Sequence, residues 1–143
     1  MTDTEHLTGT ERIGTWPALI YADAEAALTY LVEVVGFTES MVVRGDGDRP
    51  IMHAELRWPG GGGVMFGSTE RGNDWTGRSR VGDSSLYLVI DDPAVVAERV
   101  LAAGWQVVRP LQETDYGSKE FGFLDPEGNA FSIGTYAGAH ATG

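Results

Sequence analysis

The stretch DPEGNAFSIGTY, Asp125 to Tyr136, decides how the chain is read. Pro and Gly beside Asp and Asn in Asp125–Asn129 set the angles of a hairpin turn, and a strand-like run, Ala130–Tyr136, follows. Any β protein contains such turns, so its meaning comes from a second copy. WPGGGGVMFGST, Trp58 to Thr69, aligns with it, matching Pro59 to Pro126 and Gly67 to Gly134 at an offset of 67 places. DAEAALTYLVEVVGF (Asp23–Phe37) and DDPAVVAERVLAAGW (Asp91–Trp105) match without a gap at an offset of 68. Two matches at nearly one offset identify an internal duplication.

In each copy of the second pair an Asp, Asp23 or Asp91, stands where a helix N-cap belongs, and a Gly thirteen positions on suits the left-handed C-terminal position. Pro93 fits the first turn of the second helix, where a missing N–H costs little. Ala24, Ala27, Leu28, Leu31 and Val35 fall on one helical stripe, and Val96, Ala97, Val100 and Leu101 on the other. Strand runs surround the helices: Thr15–Ala22, Thr38–Arg44, Ile51–Trp58 and Val64–Ser68, then Ser84–Ile90, Gln106–Leu111, Ser118–Leu124 and Ala130–Tyr136. Each half reads β-α-β-β-β, an α+β fold of two modules. The expected organisation is an N-terminal tail at 1–12, modules at 13–69 and 84–136, a polar linker at 70–83 and a tail at 137–143.

The 143 residues suit one domain or two small halves sharing a core, and 42% hydrophobic with 22% charged residues is a globular composition. A net charge of −11 argues against nucleic acid and against an anionic membrane surface. The absence of cysteine excludes disulfides, thiol nucleophiles and thiolate metal sites. Met1–Gly14 is polar, and no run approaches the ~20 apolar residues that span a bilayer. A cytoplasmic protein is expected.

Paired β-α-β-β-β modules, with an Asp-capped helix ending in Gly-aromatic and a closing LDPEGN hairpin, resemble the vicinal oxygen chelate superfamily. That group includes glyoxalase I, extradiol dioxygenases, fosfomycin-resistance enzymes and bleomycin-resistance proteins. The resemblance covers residues 13 to 136 and implies a curved, cup-like mixed sheet, the glyoxalase-like fold. Metal-using members take four ligands, His, Gln or Glu, from the first and last strand of each module. The corresponding positions here are Trp16 (or Pro17), Met65, Ser85 (beside Ser84) and Ser132, and a slip of one residue brings in no better donor. The resemblance therefore implies a pocket without metal or other cofactor. It also implies a homodimer in which modules pair across chains.

A two-residue turn centred on Glu127-Gly128 would place Ser132 opposite Phe123 and Gly134 opposite Phe121. The same logic sets Met65 opposite Leu56 and Gly67 opposite Ala54. Ser85, Tyr87 and Val89 would share the pocket face. The ligand-binding candidates are thus Trp16, Leu56, Met65, Ser85, Tyr87, Phe121, Phe123 and Ser132, an apolar, aromatic lining suited to an organic molecule with few charges. Against this, Leu56, Met65, Phe121 and Phe123 have the character of ordinary core residues, and Trp16 could block the cavity. Trp75 and Tyr116 lie in loops, where exposed aromatics mark binding more often. His53, Glu55 and Arg57 alternate on one strand face expected to be the outer, solvated one, so His53 is a secondary catalytic candidate. Asp115, Tyr116, Lys119 and Glu120 fall beside the pocket mouth.

Gly60–Gly63 lacks the Lys and Ser/Thr of a phosphate loop, and Arg44–Asp48 falls short of a calcium loop; both read as turns. The reading of function is a binding protein for a small hydrophobic or aromatic molecule, a cationic one being favoured by the charge. Alternatives are a metal-free isomerase, cyclase or hydrolase, and behind it a metal-dependent lyase or dioxygenase.

Overall fold

The structure is a computed structural model describing residues 12–45, 51–69 and 80–142. Trp75, His6 and most of the expected linker lie outside the described residues. The first module runs β1 (Ala18–Tyr21), α1 (Ala24–Tyr30), a π-helical turn (Leu31–Val35), β2 (Thr38–Arg44), β3 (Ile51–Arg57) and β4 (Gly63–Ser68). The second runs β5 (Ser85–Val89), α2 (Pro93–Ala103), β6 (Val107–Glu113), β7 (Lys119–Leu124) and β8 (Ala130–Gly134). The strand orders are β1-β4-β3-β2 and β5-β8-β7-β6, with the first strand of each module parallel to its last and the other pairings antiparallel. The α+β, two-module architecture is as expected from the duplication. No described helix is long and apolar enough to cross a membrane.

The two helices differ by one residue, and the difference has a local cause. Asp23 caps α1, its Oδ1 accepting from the Ala26 N–H, but the cap of α2 is Asp92 and not the expected Asp91. From cap to left-handed glycine the first module has 13 steps, Asp23 to Gly36, and the second 12, Asp92 to Gly104. The extra residue is absorbed in the π turn, where the Gly36 N–H reaches back five places to the Leu31 carbonyl at 3.0 Å. Arg99 of α2 then donates to the Val34 and Val35 carbonyls at 2.7 and 3.1 Å, capping the first helix from the second module.

One core spans both modules. Ala54 and Leu56 on β3 and Trp58 just after it face the core; on β7 and β8, Phe121, Phe123, Phe131 and Ile133 do. Phe123 and Phe131 stack at 5.3 Å with rings 5° from parallel. Residues alternating with these point to the side of each sheet free of helices.

The hairpin loops hold three residues between the closing pair, Pro126–Gly128 and Pro59–Gly61, not two. Asp125 N–H bonds the Asn129 carbonyl and Gly128 N–H the Asp125 carbonyl, both at 2.9 Å; Trp58–Gly62 and Gly61–Trp58 repeat the pattern. Ser132 therefore pairs with Gly122, not Phe123, and Glu120 with Gly134. Likewise Leu56 pairs with Val64, and Met65 with Glu55. A slip of one residue exchanges the two faces of a strand. Leu56, Phe121 and Phe123 consequently lie in the core, while His53, Glu55 and Arg57, expected on an outer face, share the helix-free face with Met65.

The turns also join the modules. Asp125 Oδ2 accepts the Tyr21 hydroxyl at 2.7 Å, and its Oδ1 accepts the Glu127 and Asn129 N–H groups. Glu127 accepts the Ala22 and Asp23 N–H groups at 2.7 and 2.8 Å, at the entrance to α1. In the reverse direction Trp58 Nε1 donates to the Val89 carbonyl at 2.7 Å, at the end of β5. Each module's closing turn thus lies on the end of the other module's first strand.

Candidate functional site

The helix-free face of the second sheet carries a cluster of polar side chains centred on Glu120. Glu120 on β7 is 2% exposed. Its Oε2 accepts the Tyr87 hydroxyl from β5 at 2.9 Å, and its Oε1 accepts the Tyr116 hydroxyl at 2.8 Å. Arg109 reaches Glu120 Oε1 at 3.5 Å and donates to Ser132 Oγ on β8 at 3.2 Å. Arg109 stands where β6 slips register against β7, and such a bulge re-aims a side chain.

Glycines make room for this convergence. A Cβ on Gly134 would fall on the Tyr87 hydroxyl and 2.7 Å from Glu120 Cγ. A Cβ on Gly122 would press Val108 and Arg109 at 3.2–3.4 Å. The glycine of the closing GTY thus lets a tyrosine from the first strand of the module meet a carboxylate on the third.

The electrostatics favour an ionised Glu120. Burial pushes its pKa up, but hydrogen bonds from Tyr116, Tyr87 and Ser118 and the charge of Arg109 outweigh that and hold it below the usual carboxylate value. Tyr87 is raised, by burial first and then by Glu120, and Tyr116 is raised first by its hydrogen bond to Glu120. Both tyrosines therefore stay protonated donors at neutral pH. The two residues are 42% and 58% exposed while Glu120 is buried, so the carboxylate is covered by the side chains that bind it. Tyr136, 46% exposed, meets Tyr116 edge-on at 5.8 Å.

Tyr87 also borders a cleft of about 410 Å³ between the two modules. Its walls are β5 from Ser85 to Val89, Phe37, Trp58, Thr15, Pro17 and the Gly60–Gly63 turn. This volume lies within the range of small-molecule pockets. On the first sheet, Trp16 lies over the Arg57 guanidinium at 5.7 Å, and His53 Nε2 is 2.8 Å from Glu55 Oε2.

Of the sequence candidates, Ser85, Tyr87 and Ser132 come together on the second sheet, and Trp16 and Met65 on the first. Leu56, Phe121 and Phe123 support the sheets from the core side. Glu120 and Tyr116, noted only as neighbours of a pocket mouth, stand at the centre, and Arg109 was not singled out at all. At the four positions that the resemblance assigns to metal ligands, the chain offers an indole at Trp16, a thioether at Met65 and hydroxyls at Ser85 and Ser132; in the sheets Met65 pairs with Ala18, and Ser132 with Tyr87. Among the described residues no three His, Cys, Asp or Glu side chains gather as a metal cluster would. This donor set does not fit a divalent ion.

Residues 13–133 match the profile of the Glyoxalase/Bleomycin resistance protein/Dioxygenase superfamily, and the chain belongs to that family. Among solved structures it is similar to TioX from Micromonospora sp. ML1, with 30% identity and a TM-score of 0.66 over 85% of this chain and 98% of that one. It is also similar to a glyoxalase/bleomycin resistance protein from Streptomyces sp. CB03234, at 24% identity and a TM-score of 0.61 over 82% and 97% of the two chains. A glyoxalase/bleomycin resistance protein/dioxygenase family enzyme from Burkholderia phytofirmans PsJN matches at 23% identity, a TM-score of 0.62 and coverage of 83% and 94%. These last two show the fold alone. No curated protein matches the chain in sequence.

Proposed function

We propose that the chain is a metal-independent binding protein for a small hydrophobic or aromatic organic molecule, held beside β5 on the second module. The observation that carries this reading is Tyr87. Tyr87 borders the 410 Å³ cleft, its hydroxyl is fixed on Glu120, and the other walls mix apolar and aromatic side chains such as Phe37, Trp58 and Leu86 with the hydroxyls of Thr15 and Ser85 and the Gly60–Gly63 backbone. Such a lining rewards burial of a planar organic molecule at roughly 25 cal/mol per Å² of apolar surface.

A fluorescent planar probe, 9-methylacridine, titrated into chelator-treated protein tests the reading. Saturable binding near one per chain, with the probe recovered unchanged, is expected. Failure to saturate, or conversion to a product, would reject it.

Metal-free catalysis is the second reading, favoured by the His53–Glu55 pair at 2.8 Å on the helix-free face of the first sheet. His53→Gln would then abolish turnover while leaving binding in place. A homodimer belongs to the same proposal. Within the chain the modules are joined through the helices and hairpin turns, and a second copy could cover the helix-free faces. Light scattering is expected to give twice the chain mass, and a monomer at micromolar concentration would contradict it.

A further inference from the structure

Resting on the binding reading above, we infer that Tyr87, Tyr116 and Tyr136, backed by Glu120, form a recognition site for the cationic end of the ligand, a substituted ammonium or aromatic iminium. Two phenol hydroxyls converge on the two oxygens of one carboxylate, at 2.9 and 2.8 Å. Their rings consequently stand around a buried negative charge with much of their surface open. A hydroxyl hydrogen-bonded to a carboxylate enriches its own ring in electron density, and the ring face is what attracts a cation. Tyr136, edge-on to Tyr116, extends the aromatic surface at the same end of β8.

A general-base role for Glu120 is the weaker use of the same group. Proton abstraction at neutral pH is best served by a pKa near the operating pH, and Glu120 is displaced away from it. A permanently charged, shielded carboxylate instead acts at a distance on whatever sits over the rings. Arg109 is the resident competitor. It is 43% exposed at its side chain, holds Glu120 only at 3.5 Å and has its better contact with Ser132. A ligand cation over Tyr87 and Tyr116 is attracted by the carboxylate and repelled by this guanidinium, so the two charges bear on affinity with opposite sign.

The test compares 10-methylacridinium with the uncharged 9-methylacridine in mildly alkaline buffer, on wild type, Glu120→Gln, Arg109→Gln and Tyr116→Leu. Gln at 120 keeps one oxygen that accepts from a tyrosine, its amide N–H group can donate to the other hydroxyl, and residue 116 lies on an exposed loop; thermal denaturation checks that the fold is retained. The cation is expected to bind more tightly than the neutral probe. Glu120→Gln and Tyr116→Leu should each weaken the cation about tenfold, and Arg109→Gln should strengthen it, with the neutral probe nearly unchanged. Equal affinity of the two probes in wild type, or equal loss of both in Glu120→Gln, would overturn this inference and leave organic-ligand binding intact. Failure of both probes to bind would overturn the binding reading itself.

Discussion

Gly134 shows how much a single missing side chain decides. Its place on β8 is opposite Glu120, and any Cβ there would collide with the Tyr87 hydroxyl. Gly134→Ala must therefore shift Tyr87, Glu120 or the strand, and overpacking of this kind costs about 1–3 kcal/mol. Urea denaturation is expected to show that loss, and an unchanged midpoint would mean that the tyrosine is free to move. Glu120 itself makes stability depend on pH. Its native pKa is lowered, so folding favours the ionised form, and that contribution is present above the ordinary carboxylate value near 4.3. As pH falls from there through the lowered native value, the contribution is lost. Denaturation of wild type and Glu120→Gln should therefore converge in acid, whereas a gap that widens in acid would contradict the sign.

Among the elements, the first helix carries the clearest asymmetry between the repeats. Its extra residue forces a π turn, and the freed carbonyls of Val34 and Val35 are taken by Arg99 across the module boundary. Arg99→Ala should cost about 1.5–3 kcal/mol, the range for hydrogen bonds to a charged group, and hydrogen exchange should quicken at the end of the first helix first. Equal protection in the variant would show that water replaces the guanidinium at no cost. The sequence carried the helices, their glycine ends and most strand limits, because apolar periodicity and capping chemistry are local. It misled on the second cap, where Asp91 and Asp92 are adjacent and both plausible. It also misled on the hairpin register, because DPEGN and WPGGG enclose three-residue loops in place of two-residue ones. With that one-residue slip Leu56, Phe121 and Phe123 are buried in the core, and Glu120 and Gly122 share a face with Ser132. The Tyr87–Glu120–Tyr116 convergence joins segments brought together only by sheet order, and Arg109 enters through a bulge, so neither leaves a spacing signature.

At the scale of the whole molecule, the hairpin that opened the question is first of all a joint. Asp125 and Asn129 are buried at the module boundary, with Asn129 Nδ2 donating to Asp125 and its Oδ1 accepting the Ser84 N–H. Burial first, then the Asp125 charge and hydrogen bond, drive Tyr21 far above its ordinary value, so its hydroxyl remains a donor across the accessible pH range. Tyr21→Phe leaves Asp125 short of one donor and should destabilise by about 1.5–3 kcal/mol. If the modules unfold together, calorimetry will show one transition that moves down; two separate transitions would mean that the joint does not couple them. The metal-independent reading proposed above rests on Trp16, Met65, Ser85 and Ser132 at the positions that the resemblance assigns to metal ligands. The most direct measurement is the affinity of 10-methylacridinium for chelator-treated protein, repeated after nickel, manganese, zinc and iron are added and the protein desalted. Binding of one probe per chain, unchanged by any metal and with no metal retained near one per chain, is the predicted result. Stoichiometric retention of a metal, or binding that appears only in its presence, would contradict the account.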